Sequence, residues 1–193
     1  MRVPDAFRIE TVAHVDDRGL FMEVFRDQEL ADAVGHGFVV AQANLSVSRR
    51  GTLRGLHGVN LTAAQAKVVS CPAGAALDVV VDLRVGSPTF GVWDSTVLQG
   101  GESPAVYVAE GLLHGFVALT DDTVIQYLCS APFVPGTQIQ VDALDPELAL
   151  PWPADVPLQR SPKDAAAPDV RHAVATGLLP TWAECLDLYA RLR

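Results

Sequence analysis

Arg54-Gly55-Leu56-His57, with Lys67 ten residues further on, carries the side chains of this sequence best suited to chemistry. Histidine titrates near neutrality, so it suits removal of a proton from carbon beside a carbonyl. Arg54 and Lys67 would supply the positive charge that an enolate or a phosphorylated substrate needs. Gly55 lets the chain bend or a ligand approach the backbone. The Arg54–His57 segment lies between two strand-like runs, Gln42–Ser48 and Lys67–Leu83. A second histidine, His114, stands in Gly111-Leu112-Leu113-His114-Gly115-Phe116 at the start of an apolar strand, where it serves either a structural role or the site. His14, His36 and His172 sit in polar or Gly-rich surroundings and read as surface residues.

Two further segments could line a site. Gln42-Ala43-Asn44-Leu45-Ser46-Val47-Ser48 alternates polar and apolar residues, so one strand face carries only amides and hydroxyls, which suits the wall of a polar pocket. Asp16-Asp17-Arg18-Gly19-Leu20-Phe21-Met22-Glu23-Val24-Phe25 begins as a turn and continues as a strand. Period two puts Phe21, Glu23 and Phe25 on one face with Arg18 just before it, a grouping able to stack a base and hold a phosphate, or simply a strand with one solvated face. For a metal, His57 and His114 would need further ligands, and there is no His-x-His pair and no cysteine cluster at ligand spacing.

The composition narrows the partners. A formal net charge of -9 argues against a nucleic-acid surface. An anionic substrate must therefore be met by a local cluster of cations against the overall field. The few basic residues fall in or beside the motif-like segments: Arg18, Arg49, Arg50, Arg54, Lys67 and Lys163, the last two being the only lysines. No apolar run reaches the roughly 20 residues of a membrane span, and the N-terminus lacks the apolar core of a secretory signal. Cys71, Cys129 and Cys185 are odd in number and widely spaced, as expected of reduced buried thiols in a cytoplasmic protein.

These side chains must be positioned by a mainly β framework. Strand patterns recur at Val39–Ser48, Lys67–Cys71, Ala76–Leu83, Gly91–Leu98, Ala105–Ala109, Gly115–Leu119 and Thr123–Cys129, broken by Gly, Pro, Asn or Asp every eight to twelve residues. That rhythm predicts an antiparallel sandwich or barrel. Ala76–Leu83 alternates only weakly, as a central strand covered on both faces does. Asp27–Val34 reads as a short helix. Beyond Pro151-Trp152-Pro153, from about residue 154, a Pro-rich loop leads to a helix over Trp182–Leu192 that packs one face on the body. The length of 193 residues and the absence of repeats fit one domain over 1–193.

Taken in order, Asp17-Arg18-Gly19-Leu20-Phe21-x-Glu23, Gln42-x-Asn44-x-Ser46-x-Ser48, Arg54-Gly55-Leu56-His57, Gln65-x-Lys67, Asp78-Val79-x-Val81-Asp82-Leu83-Arg84-x-Gly86-Ser87-Pro88-Thr89-Phe90-Gly91, Glu110-Gly111-x-x-His114-Gly115-Phe116, Trp152-Pro153 and Ser161-x-Lys163-Asp164 resemble the dTDP-4-dehydrorhamnose 3,5-epimerase family. The resemblance implies a cupin-type antiparallel jelly roll, a homodimer, no metal or other cofactor, and a dTDP-linked 4-keto-6-deoxyhexose as substrate. It implies an isomerase of deoxysugar biosynthesis, including antibiotic pathways. His57 is then the base, Asp164 its orienting partner, and Lys67 the partner of the enolate, with His114 nearby. Arg18, Glu23, Gln42, Asn44 and Arg54 would contact nucleotide or diphosphate, Phe21 the base, and Ser46 and Lys163 would complete the substrate site.

The proton donor departs from the family pattern. A tyrosine usual six residues after Tyr127 is replaced by Phe133, and Gly58-Val59-Asn60 lacks the usual aromatic and glutamine. Three expectations follow. Tyr127 or water serves as acid and both centres invert; only C-3 or C-5 inverts; or the pocket binds a nucleotide sugar without turning it over. A metal-dependent cupin oxygenase is a further alternative of a different class.

Overall fold

In the computed structural model, which describes residues 1–101 and 104–193, the chain forms two opposed five-stranded antiparallel sheets. The first has the order β1 (Ala6–Glu10), β9 (Pro104–Val108), β6 (Lys67–Ala73), β11 (Thr123–Cys129), β4 (Gln42–Ser48). The second runs β12 (Gln138–Gln140), β5 (Leu53–Val59), β10 (Leu113–Ala118), β7 (Ala75–Val81), β8 (Trp93–Gln99). This is the mainly β jelly roll that the strand rhythm and the resemblance led to expect. β2 (Ala13–Asp16) and β3 (Gly19–Met22) form a separate hairpin.

One apolar core fills the space between the sheets, joining Val68, Val106 and Ile125 of the first to Val80, Phe116 and Leu98 of the second. A second core covers the outer face of the second sheet, where Leu53, Val79, Val81 and Val117 meet Val170, Ala173 and Leu179 of the C-terminal segment. Val80 therefore faces one core while Val79 and Val81 face the other, which explains the weak alternation of this stretch.

Helix α1 (Asp27–Val34) stops where Gly35 takes the left-handed conformation, its N–H returning to the Ala31 carbonyl. Two helices occupy the stretch expected to be loop: α2 (Pro162–Ala165), capped by Ser161, and α3 (Val170–Ala175), capped by Asp169. Both are too short to show a helical period. Helix α4 (Trp182–Leu192) matches its expected bounds and opens with a capping box between Thr181 and Glu184.

Arg84 ties these parts together. Fully buried, it forks onto Asp82 with two bonds of 2.9 Å, reaches Asp5 at 2.7 Å and Tyr189 at 3.1 Å, and lies 4.3 Å from the Trp182 ring centroid. The N-terminus, the β7–β8 connection and α4 thus share one guanidinium.

Two local expectations need correcting. Arg54-Gly55-Leu56-His57 is itself part of strand β5, not a link between strands; two glycines within seven residues mask its pattern. The strand after Arg18 ends at Met22, so Phe21, Glu23 and Phe25 do not share a strand face. Cys71, Cys129 and Cys185 are buried free thiols, as expected. No helix among the described residues is long and apolar enough to cross a membrane.

Candidate active site

A cleft of about 470 Å³ opens between the two sheets. The first sheet contributes Gln42, Asn44 and Ser46 from β4, Lys67 from β6 and Tyr127 from β11; the second contributes Arg54 and His57 from β5 and His114 from β10. The alternation of β4 turns its amides and hydroxyls to this cleft and leaves Leu45 and Val47 largely exposed. Although the chain has 23 acidic residues, no Asp or Glu is among the described residues that line the cleft. Arg54 and Lys67 thus face the cleft with no carboxylate in its lining, an arrangement that suits an anionic ligand.

Gly55 sets the spacing of the second wall. At φ +118° it occupies a conformation that favours glycine, and a Cβ there would lie 2.8 Å from both Gly115 Cα and the His114 carbonyl oxygen. This close approach, with a register irregularity between His114 and Phe116, puts His57 directly opposite His114 across the β5–β10 pair.

His57 Nε2 lies 2.6 Å from Asp164 Oδ1. The other oxygen of Asp164 accepts a bond from the Ser161 hydroxyl at 2.8 Å, and the Asp164 N–H donates to Ser161 Oγ at 3.0 Å. The helix cap thus fixes the carboxylate that fixes the ring. A carboxylate only accepts, so Nε2 carries the proton and Nδ1 is left as the basic nitrogen. Burial lowers the His57 pKa, while the Asp164 bond and charge pull it back up and His114 and Lys163 push it further down. An imidazole held below its ordinary value is neutral at physiological pH and able to accept a proton.

His114 repeats the pattern with its Nε2 on Asp78 Oδ2, and its ring stands edge-on to Tyr127 with centroids 6.1 Å apart. Tyr127 is pushed well above the ordinary phenol range, first by burial and then by Asp78; Ser46 and Arg54 oppose that shift. It stays protonated and can donate. Burial lowers the Lys67 pKa, and Cys129 and Glu110 oppose the fall. Arg54 Nε donates to Ser48 Oγ at 3.2 Å.

Phe133 lines the cleft without a hydroxyl, and its backbone N–H donates to Gln42 Oε1 at 2.7 Å. Gln42 Nε2 donates to Asn44 Oδ1 at 2.8 Å, and Gln65 Nε2 to the Ala131 carbonyl at 2.6 Å. These amides therefore hold the loop that carries Phe133 as well as facing the cleft. Lys163 donates to Gln138 Oε1 at 2.9 Å, and Gln138 lines the cleft.

Arg18, Phe21 and Glu23 are not brought to the cleft of this chain. Arg18 pairs with Asp16 and is 89% exposed, Glu23 pairs with Arg26 at 2.6 Å, and the Phe21 ring is mostly in solvent. Asp78 is a functional candidate for which sequence reasoning assigned no role. The signal was a carboxylate in the apolar run Ala76–Leu83, which needs a buried partner. Asp82 gives the same signal for a structural reason, its pairing with Arg84. Among the described residues no group of three or more His, Cys, Asp or Glu side chains is placed to hold a metal ion.

A family model described as dTDP-4-dehydrorhamnose 3,5-epimerase matches residues 1–172. The chain is 45% identical over 183 residues to a dTDP-4-dehydrorhamnose 3-epimerase of Streptomyces niveus, covering 95% of this chain and 88% of that one. Its structure resembles the rmlC epimerase of Mycobacterium tuberculosis with a TM-score of 0.96 at 45% identity, covering 100% and 98% of the two chains. It resembles ChmJ, a 3'-monoepimerase from Streptomyces bikiniensis in complex with dTDP-quinovose, with a TM-score of 0.97 at 41% identity and coverage of 100% and 98%.

Proposed function

The chain belongs to the dTDP-4-dehydrorhamnose 3,5-epimerase family, and we propose that it inverts a single centre, C-3 or C-5, of a dTDP-linked 4-keto-6-deoxyhexose. The observation that carries this reading is the placement of His57, held by Asp164 of α2, on one sheet and Tyr127 on the other, across one cleft. Inversion requires a base and an acid on opposite faces of the sugar.

His57 Nδ1 takes the proton from the carbon beside the ketone. The C–H electron pair becomes the enolate double bond, and negative charge collects on the 4-oxygen beside Lys67 and His114. Tyr127 returns a proton to the same carbon from the other face, and the tyrosinate regains one from solvent as the imidazolium loses its own. Every step uses side chains of this protein. Arg54, Gln42, Asn44 and Ser46 supply polar contacts for the nucleotide and diphosphate, with Lys163 at the rim.

A single centre is favoured because Tyr127 is the one phenol among the described residues that line the cleft, Phe133 having no proton to give. The relatives include both a 3-epimerase and 3,5-epimerases, so family membership leaves the centre open. The working form is a homodimer. Edge strand β4 exposes Val47 and, at the cleft mouth, Leu45, and the β2–β3 hairpin exposes Val15, Leu20 and Phe21. A second copy would cover such apolar surface and could bring Arg18, Phe21 and Glu23 to a cleft. Three buried free thiols suit a reducing cytoplasm.

Proton NMR of dTDP-4-keto-6-deoxyglucose with the enzyme in deuterated water tests this reading. Deuterium should enter one centre with the wild type and none with His57→Ala. Exchange at both centres would replace the single-centre reading by the 3,5-epimerase one. No exchange with this sugar or its 3-amino and 3-methyl-branched forms would leave a binding protein.

A further inference from the structure

One member of the polar run Gln42–Ser48 has no part in the reaction scheme. Ser48 ends β4, is 4% exposed and does not line the cleft. Its Oγ accepts a bond of 3.2 Å from Nε of Arg54, which does line the cleft. The two residues are six apart in sequence yet lie on opposite sheets, β4 in the first and β5 in the second. The link between them is pinned along its length. Gly51 donates to the Ala118 carbonyl and accepts from the Gln159 N–H, both at 2.8 Å, and Leu53 donates to the Gln159 carbonyl at 2.8 Å. The Arg50 N–H donates to Asp121 Oδ1 at 3.0 Å. Serine and arginine are therefore fixed relative to each other where the chain passes from sheet to sheet.

We propose that Ser48 is a positioning residue for Arg54: it sets the guanidinium in the cleft with its Nη edge free for the diphosphate of the substrate. The diphosphate rests on the dTDP-sugar reading of the cleft; the placing of the guanidinium does not. Ser48 does not touch substrate and acts through the arginine. A guanidinium presents its N–H donors in a planar fork. With Nε–H committed to Ser48, the Nη1–Nη2 edge remains, and that edge can donate to two phosphate oxygens at once. The choice of a hydroxyl matters. Arg84 is held by the carboxylates of Asp82 and Asp5, which offset its charge. Ser48 holds Arg54 and adds no negative charge, so the positive charge stays available to an anion. A loose arginine loses rotamer freedom when a ligand binds; Ser48 has removed that freedom beforehand.

The probe is dTDP, its Kd measured by calorimetry on the full chain. Ser48→Ala should weaken dTDP about two- to tenfold, the scale of ordering one long side chain. Thymidine, which lacks the diphosphate, should bind Ser48→Ala and wild type alike. In turnover KM should rise by a similar factor, with kcat changed less than about twofold. In an Arg54→Ala background Ser48→Ala should add nothing to the loss. An unchanged Kd for dTDP in Ser48→Ala, or an equal loss with and without Arg54, would overturn the proposal. Should Ser48→Ala not fold, the wild type decides by NMR. The Arg54 ¹⁵Nε–¹Hε signal, identified by its loss in Arg54→Lys, should exchange with solvent more slowly than those of the exposed Arg49 and Arg50, with no ligand present. Exchange as fast as theirs would overturn the proposal equally. A wild type without affinity for dTDP would overturn the nucleotide-sugar reading and this proposal together; dTDP bound with no effect of Ser48 would overturn the proposal alone.

Discussion

His57 and His114 face each other as Cα partners across the β5–β10 pair, and each has Nε2 held by a carboxylate from a different element, Asp164 of α2 and Asp78 of β7. Two imidazoles oriented side by side can divide the labour of enolisation. His57, with 40% of its side chain exposed, is placed to reach a C–H bond; His114, at 7%, is placed to support the oxyanion. In the proposed reaction the difference in exposure, not in residue type, separates the two histidines.

Asp164→Asn keeps the shape but replaces an acceptor by a group that can also donate, so the His57 tautomer is no longer dictated. The kcat for deuterium exchange should fall by about 10²–10⁴, the range of general-base contributions, with KM little changed. Ser161→Ala, which frees the outer oxygen of the carboxylate, should give a smaller loss in the same assay.

The pH dependence follows from His57. Its pKa is lowered, and it works only when neutral, so kcat/KM should hold below the ordinary histidine value and fall only at more acid pH. Asp164 raises this pKa through both its bond and its charge, so the residual activity of Asp164→Asn should lose its acid limb at still lower pH. A limb above the ordinary histidine value would contradict a desolvated base.

Phe133→Tyr puts a hydroxyl on the cleft wall at the position held by the Gln42 clamp. If the missing phenol limits the reaction to one centre, deuterium exchange or inversion should appear at the second centre, as NMR would show. An unchanged pattern would clear Phe133 as the determinant.

Arg84→Ala should be severe for stability. It strands Asp82, which is fully buried, and removes the link between the N-terminus, the β7–β8 connection and α4. Loss of one partner of a buried ion pair costs about 3–5 kcal/mol. Urea unfolding followed by tryptophan fluorescence would measure it, Trp182 lying against the guanidinium.

The framework was legible in the sequence where one signal dominated. Thr123–Cys129, Asp27–Val34 and Trp182–Leu192 have the bounds that their apolar spacing predicts. The polar face of Gln42–Ser48 turns to the cleft because period two holds along an edge strand. What was hidden depended on contacts distant in sequence. β5 is obscured by the glycines that let it approach β10, and α2 by its four-residue length. Spacing could not pair residues as far apart as His57 and Asp164; that pairing came from the resemblance. Nor could it show that Asp78 supports His114, since Asp82 four residues on gives the same signal for another purpose.

A base and an acid on opposite faces of the sugar can be separated by comparing Tyr127→Phe with His57→Ala in deuterated water. Tyr127→Phe should still remove the proton, so that deuterium enters the substrate with its configuration retained while inversion falls by orders of magnitude. His57→Ala should lose exchange and inversion together. Inversion by Tyr127→Phe at the wild-type rate would rule out Tyr127 as the acid and make a solvent molecule the donor.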